Sequence, residues 1–322
     1  MMLGQRADIS SVEAINRELG RDLPLSSQFL LYVNDLSPIS VHAIVDSSSR
    51  TFADSARYGN FVQIFSTSAH ALILKVPYLR RSYQSQQRVT EILMDALPGT
   101  VLLAFVSLTF AAIVGIFLGI WSALRYQQWP DKLNALISIL GMSVPSFFMG
   151  IVVAWIFGFV LSDYTGLNMT GSLYETDPFS GQIIQWKNLI LPALTLGIRP
   201  LSVIVQLTRS SMLEVLGMDY VRTAKAKGLS PDVVVYRHAL RNALNPVLTA
   251  ISGWLGSLLA GAVFIEYIFG WKGVGKVTVD ALEFYDFPVV SGSVLMVSVF
   301  FVLINILVDV LYAKLDPRVA VA

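Results

Sequence analysis

Cysteine is absent from the 322-residue chain. That excludes a disulfide scaffold, a thiolate metal site and a cysteine nucleophile, and it leaves the redox compartment open. Charge is scarce too: Asp, Glu, Lys and Arg together make 14% of the residues, where an average soluble domain carries roughly 25%. The net formal charge of +1 lacks the basic excess of a nucleic-acid binder, so no nucleic-acid partner is expected. His42, His70 and His238 are scattered, with no metal-holding spacing, and no Gly-x-Ser-x-Gly elbow presents a nucleophile. No catalytic residue, metal site or cofactor is expected of this chain.

Apolar residues fill the deficit. The chain is 54% hydrophobic with a mean hydropathy of +0.62, more than one or two water-soluble cores can hide. Crossing a hydrocarbon layer of about 30 Å takes roughly 20 predominantly apolar residues. Five stretches qualify, at about 97–124, 133–162, 189–212, 243–269 and 289–314. Each is apolar nearly all round, unlike a water-facing amphipathic helix. The expected fold class is all-α: a polytopic membrane protein with five transmembrane helices in this chain.

Lys and Arg in the connections set the orientation. Arg125 and Lys132 follow the first stretch, and Arg222, Lys225, Lys227, Arg237 and Arg241 follow the third, which puts both connections in the cytoplasm. Lys314 and Arg318 put the C-terminus there as well. Residues 1–96 then lie outside, although their nine Lys/Arg and nine Asp/Glu accompany no spanning run and no signal-peptide pattern. A membrane helix preceding residue 1 removes that conflict and gives six spans with both ends inside, and it is the expectation here.

The connection 213–242 is the most patterned part of the chain. Good helix formers run from Met218 to Lys227 and stop at Gly228, a residue suited to a left-handed C-terminal cap. Ser230 is placed as an N-cap with Pro231 in the first position of a second helix, which carries Val233, Val234, Tyr236 and Leu240 with Arg237, His238, Arg241 and Asn242 interleaved. Pro246 follows as the chain re-enters the membrane. Two short helices with a sharp turn make a knob projecting from the bilayer. Composition and spacing by themselves leave open a basic hairpin that only touches anionic headgroups.

The stretch Asp219-Tyr220-Val221-Arg222-Thr223-Ala224-Lys225-Ala226-Lys227-Gly228-Leu229-Ser230, with Arg237 through Ala243 and Asn245-Pro246, resembles the cytoplasmic loop of ABC-importer permeases. The resemblance is to the first permease subunit of the dipeptide/oligopeptide/nickel group. Leu191-Pro192-Ala193-Leu194, Leu207-Thr208-Arg209-Ser210-Ser211, Ile268-Phe269-Gly270-Trp271, Asp286-Phe287-Pro288-Val289-Val290 and the ending from Asn305 to Arg318 resemble that group too. So do Pro77-Tyr78-Leu79, Ser82-Tyr83 and Leu97-Pro98-Gly99-Thr100, so the likeness covers roughly 77–318. Arg222 and Thr223 stand where Glu and Ala are usual, and Arg241 where Pro is usual, so no role of a glutamate is carried over. The family's six-helix core lacks its first helix here, and residues 30–75 look like an outward insertion.

The resemblance implies a multi-pass permease subunit of a bacterial inner membrane. It would pair with a homologous second permease, two cytoplasmic ATPases and an extracytoplasmic solute-binding protein, with di- or oligopeptides as solute. It implies that the first loop helix docks into a groove of the ATPase. Tyr220, Val221 and Leu229 would fill the groove, Ala224 and Ala226 permit close approach, and Gly228 makes the turn. Arg222, Lys225 and Lys227, beside Thr223, would fix the register. The rival expectation is an ATP-independent secondary transporter or channel, which calls for paired discontinuous helices around a midplane site; Pro145 and Pro200 lie inside spans.

Other patterns are read as structural. The run from Gly270 to Lys276 fits most of a phosphate-binding loop, yet Val277 replaces the magnesium-binding hydroxyl and no strand precedes it, so no nucleotide site is expected. Gly115 and Gly119 have the spacing of a helix-packing face within the bundle. Arg199, Glu266, Asn305 and Asp309 are intramembrane or near-membrane polar residues read as anchors, with Glu266 and Asp309 near span ends that headgroup water reaches.

Overall fold

Short strands and turns, not long apolar runs, build the first part of the chain. The computed structural model describes residues 22–46, 49–177 and 181–315, in two units: residues 1–92 with 281–292, and residues 93–280 with 293–322. In the first unit α1 (Leu25–Leu36) leads into β1 (Ile39–Ala43), α2 (Ser55–Tyr58), β2 (Phe61–Ser66) and β3 (His70–Lys75). The strands form an antiparallel sheet in the order β1-β3-β2, with Ile39 opposite Leu74 and Phe61 opposite Lys75. A bulge between Gln63 and Phe65 shifts the β2 register. The all-helical expectation thus describes the membrane part, and the segment read as an insertion adds a sheet.

Asp35, only 4% exposed, ties this unit together. Its carboxylate accepts from the Tyr58 hydroxyl (3.0 Å) and Arg80 Nε (3.1 Å), while its carbonyl accepts from Lys75 Nζ (2.5 Å) and the Tyr78 amide (3.0 Å). Charge-assisted bonds of this kind are roughly twice as strong as neutral ones. On the 281–292 segment, Asp286 accepts from the Tyr83 amide at 3.0 Å and from the Ser82 hydroxyl. The fully buried His42 packs edge-on against Tyr58, accepts or donates at Ser40 Oγ (2.9 Å), and donates Nδ1–H to the Thr51 carbonyl (2.9 Å). Burial, reinforced by the Lys75 charge, outweighs the Thr51 bond and the Asp35 charge and holds the imidazole pKa below its ordinary 6.5. Burial also lowers the Lys75 pKa, and with Asp35 it raises that of the Tyr58 hydroxyl.

In the second unit, α3 (Val89–Leu124) runs for 36 residues and α7 (Lys187–Leu216) for 30. Between them lie α4 (Trp129–Ser143), α5 (Ser146–Trp155), a π-helical segment Ile156–Val160, α6 (Ser162–Thr165) and a hairpin of β4 (Tyr174–Asp177) and β5 (Gly181–Ile184). After α7 come α8 (Asp219–Ala226), a π-helical segment Val233–Ala239, α9 (Leu240–Gly261), α10 (Val263–Phe269), α11 (Val274–Glu283) and α12 (Phe287–Leu315). Among the described residues three helices are long and apolar enough to cross a membrane, or five if each of two bent pairs is one span.

The bends correct two expected spans. The stretch 133–162 is not continuous: α4 and α5 meet at 110°. Val144 adopts ψ 131° because a residue before proline is excluded from the helical region, and Pro145 opens the next helix. The stretch 243–269 likewise bends by 59° between α9 and α10. Packing centres on α7, whose buried face includes Leu191, Ala193, Leu196, Ile204, Val205 and Met212. Gly115 and Gly119 of α3 let that helix approach: a Cβ at Gly115 would fall 2.8 Å from Ile204 Cγ2, and one at Gly119 2.8 Å from the Val205 carbonyl oxygen.

The His42 shift gives a pH prediction. The unfolded chain binds the imidazole proton more readily than the folded unit, so stability is full above 6.5 and is lost as pH falls through the lowered value. Hydrogen exchange of the full-length protein is expected to show faster opening of residues 39–75 at about pH 5.5 than at about pH 7.5, after correction for intrinsic rates. His42→Gln is expected to remove that difference; an unchanged pH response in the variant would assign it elsewhere.

Candidate functional site

Met218, in extended conformation, starts α8, and its carbonyl accepts from the amides of Val221 (3.1 Å) and Arg222 (3.2 Å). The helix closes in a Schellman motif: the Gly228 amide bonds the Lys225 carbonyl at 3.0 Å and the Leu229 amide the Ala224 carbonyl at 3.4 Å. Gly228 takes φ +78°, the left-handed conformation the sequence expects of it, and a Cβ there would meet nothing within 4 Å. The Val234 amide then bonds the Ser230 carbonyl (3.0 Å), starting the next helix at Pro231 as expected, but residues 233–239 wind as a π-helix rather than an α-helix.

The knob rests on its own membrane helices. Val221 (0% exposed) and Ala224 (7%) pack with Val234, Val235 and Ala239 against Ile120 and Ala123 of α3 and Met212 and Val215 of α7. Asn242 Nδ2 of α9 donates to the Tyr220 hydroxyl at 2.8 Å. The outward surface carries Met218, Tyr220, Leu229, Val233 and Tyr236, each 37–57% exposed, among exposed Arg222, Thr223, Lys225, Ala226, Lys227, Arg237 and Arg241.

Beneath the knob sits a nearly buried ion pair. Arg209 of α7 donates Nε to Asp131 Oδ1 (2.5 Å) and Nη2 to Oδ2 (2.9 Å). Asp131 also accepts from the Ser122 hydroxyl (2.5 Å) and the Gln127 amide (2.9 Å), and the guanidinium lies 5.3 Å from the Tyr126 ring centre. One carboxylate therefore joins the end of α3, the turn after it, the first turn of α4 and the lower part of α7. Ser122, Ser138, Gln206, Arg209 and Ser210 line an adjoining cavity of about 440 Å³.

Residues 115–321 match the family described as binding-protein-dependent transport system inner membrane component. The chain belongs to that family. The permease is 40% identical over 255 residues to the dipeptide transport system permease protein DppB of Alkalihalophilus pseudofirmus, covering 75% of this chain and 77% of the relative. It is 35% identical to the di/tripeptide transport system permease protein DppB of Pseudomonas aeruginosa, covering 99% and 88%. Its fold matches a solved structure of the MetNI methionine ABC transporter with a TM-score of 0.56 at 17% identity, covering 70% of the permease and 97% of that chain.

Membership bears out the permease resemblance over the secondary-transporter rival, even though two discontinuous helix pairs of the sort that rival calls for are present. The structure redistributes the expected loop residues. Tyr220, Arg222, Thr223, Lys225, Ala226, Lys227, Gly228 and Leu229 are on the exposed surface; Val221 and Ala224 are not. A helix of eight residues has two faces, and residues 221 and 224, three apart, share the one that covers α3 and α7. Met218 and Tyr236 are exposed apolar groups beside the docking residues named from sequence.

The phosphate-loop look-alike binds a carboxylate of its own chain. The Gly275 and Lys276 amides donate to Glu266 Oε2 at 2.7 and 3.2 Å, and Cβ atoms at Gly273 or Gly275 would collide with that carboxylate. Glu266 is 0% exposed, so the expectation that headgroup water reaches it is wrong, while its anchoring role stands. Trp271 is buried with its indole N–H on the Gly99 carbonyl (2.9 Å). Arg199 is exposed and Asn305 Nδ2 donates to the Phe301 carbonyl (2.9 Å), whereas the Asp309 side chain lies outside the described residues.

Removing one member of a buried pair costs about 3–5 kcal/mol because the other charge is left unpaired. Arg209 keeps 28% of its side chain exposed, so the lower end applies. Asp131→Asn is expected to lower the melting temperature of the purified transporter clearly, and Arg209→Met to do the same. The double variant is expected to lose less than the two losses added. Additive losses would mean the residues act independently.

Proposed function

We propose that the permease forms one half of the membrane path of an ATP-binding-cassette importer for short peptides, and that its knob is the part a cytoplasmic ATPase grips. The observation that carries this reading is the knob's two-sided construction: an apolar underside sealed onto α3 and α7, and an outer side of exposed aromatic, aliphatic and basic groups. Interface cores favour apolar and aromatic anchors with Arg, while exposed Lys chiefly steers encounter. Membership of a binding-protein-dependent family and peptide-transport relatives support the solute class and the remaining partners: a second permease, two ATPases and a solute-binding protein.

In this reading residues 1–96 lie outside with the C-terminus inside, residues 97–318 form the permease domain, and the knob lies in the cytoplasm. Closure of the ATPase pair pushes on α8, and the load passes through Val221 and Ala224 to α3 and α7. ATP hydrolysis belongs to the partner subunit.

Co-purification in mild detergent from native membranes tests the reading. The wild-type permease is expected to bring down an ATPase and a second permease. Ala226→Arg, on the exposed side, is expected to keep the wild-type melting temperature and the second permease while ATPase recovery falls about tenfold, the equivalent of 1.4 kcal/mol. Ala224→Arg must bury a guanidinium and is expected to destabilise the knob itself. Gly228→Val is expected to lose coupling because a β-branched residue at positive φ is strained, while Gly228→Asn retains it. Full ATPase recovery with Ala226→Arg would overturn the docking role.

A further inference from the structure

One membrane helix is built the wrong way round for lipid. On α9 the buried side is apolar: Ala243, Val247, Leu258 and Leu259 are at most 6% exposed, with Ile251, Trp254 and Leu255 packed beside them. Its opposite side exposes Asn242, Asn245, Pro246, Thr249, Gly253 and Ser257, with Ser252 partly exposed at one margin and Leu248 exposed beyond it. At 100° per residue these exposed residues fall within one arc less than half the circumference; Gly256, in the same arc, is buried against Phe301 of α12, so the end of the face far from the knob is partly covered. From Asn242 to Ser257 they extend about 22 Å along the axis at 1.5 Å per residue, most of a hydrocarbon thickness of about 30 Å.

Polar side chains facing lipid are costly, and those within spans face the bundle interior or a water-filled cavity. The hydroxyls of Thr249, Ser252 and Ser257 bond carbonyls of their own helix, at 3.2, 2.9 and 3.4 Å, and keep outward acceptor capacity. A second feature of the same unit also calls for water at depth. At the α4–α5 elbow the last helical carbonyls have no helical continuation, and Met142, Ser143 and Pro145 are exposed. Irregular backbone at that level is tolerated only where protein covers it or water reaches it.

We infer that the face of α9 carrying Asn242, Asn245, Thr249, Gly253 and Ser257 lines the water-filled path through which the solute crosses. The face has amides and hydroxyls and no formal charge, with Arg241 exposed at its end nearest the knob. Such a lining can hydrogen-bond the amides and termini of a zwitterionic peptide without a fixed charge to trap one cargo over another. The Asn242–Tyr220 bond makes the face continuous with the knob. The solute class rests on the importer reading; the location of the path does not.

This chain has no native cysteine, so each introduced thiol is the only one it carries. Single substitutions Asn245→Cys, Thr249→Cys and Gly253→Cys are made in the full transporter in native membranes; a Cβ at Gly253 meets nothing within 4 Å. Ile113→Cys, at a 66% exposed apolar position of α3, is the lipid control, and Lys132→Cys, exposed in the first turn of α4 and outside the knob, is the water control. A charged maleimide reacts with thiolate, which forms in water and is suppressed in apolar surroundings. The three α9 positions are expected to label about tenfold or more faster than Ile113→Cys, a margin of one pKa unit in thiolate, and a transported dipeptide is expected to slow them. Labelling no faster than Ile113→Cys while Lys132→Cys reacts would overturn the inference, assigning the face to a second permease helix or lipid. Labelling that the dipeptide leaves unchanged would overturn the solute path. Labelling with dipeptide protection in a transporter that carries no ATPase would uphold the path and remove the importer reading.

Discussion

A charge buried in a protein must be met by donors of its own surroundings, and in this permease that requirement falls on Asp131, which is 3% exposed. Its two oxygens take four donors, from α3, the following turn and α7. With the carboxylate in place, α3, α4 and α7 meet at one fixed point, and the apolar patch from Ile120 to Ala123 and Met212 to Val215 is presented as one surface. The knob is sealed onto that surface by Val221 and Ala224. The chain of dependence therefore runs from an ion pair, to the relative placement of three helices, to the posture of the eight exposed knob residues.

Local chemistry was the legible part. Gly228 declares its left-handed turn because glycine adopts that conformation at the least cost, and Pro231 declares a helix start. The long apolar runs declare themselves by length alone. Non-local chemistry was not legible. Asp131 and Arg209 are 78 positions apart, and in the sequence Arg209 stands only as part of a family motif. The burial of Val221 and Ala224 is not legible either, because the resemblance marks the loop but not which side of an eight-residue helix is covered. Pro145 was visible inside its span, yet only the backbone shows that Val144 turns out of the helix instead of kinking within it.

The N-terminal unit was hardest to read. Its strands are five or six residues long; burial alternates in β3, but the buried positions include Lys75 while Leu74 is exposed, and β2 is exposed along nearly its whole length. Hydrophobic periodicity therefore carries little signal there. What holds the unit is instead a polar centre, where Asp35 gathers Tyr58, Lys75, Tyr78 and Arg80 from sequence separations of up to 45 residues. Buried polar centres specify arrangement through geometry, and composition cannot reveal which carboxylate is the centre.

The same contrast between local and distant chemistry bears on how force and solute would meet. The knob touches α7 through Val221 and Ala224 and α9 through the Tyr220–Asn242 bond, while α7 and α9 pack directly against each other. A push on α8 is therefore resisted by close-packed side chains, which transmit displacement rather than absorb it. Of the three helices that the knob touches, α3, α7 and α9, it is α9 that bears the exposed polar face, and it bends at the far end, where α10 departs at 59°. Movement about that bend would shift Asn245, Thr249 and Gly253 together as one wall without breaking a helical hydrogen bond within it. A proline inside α9, Pro246, removes one backbone donor near the knob, so the wall can tilt at its lower end as well. Rigidity between knob and wall, with compliance at the two ends of the wall, is the arrangement an alternating path requires.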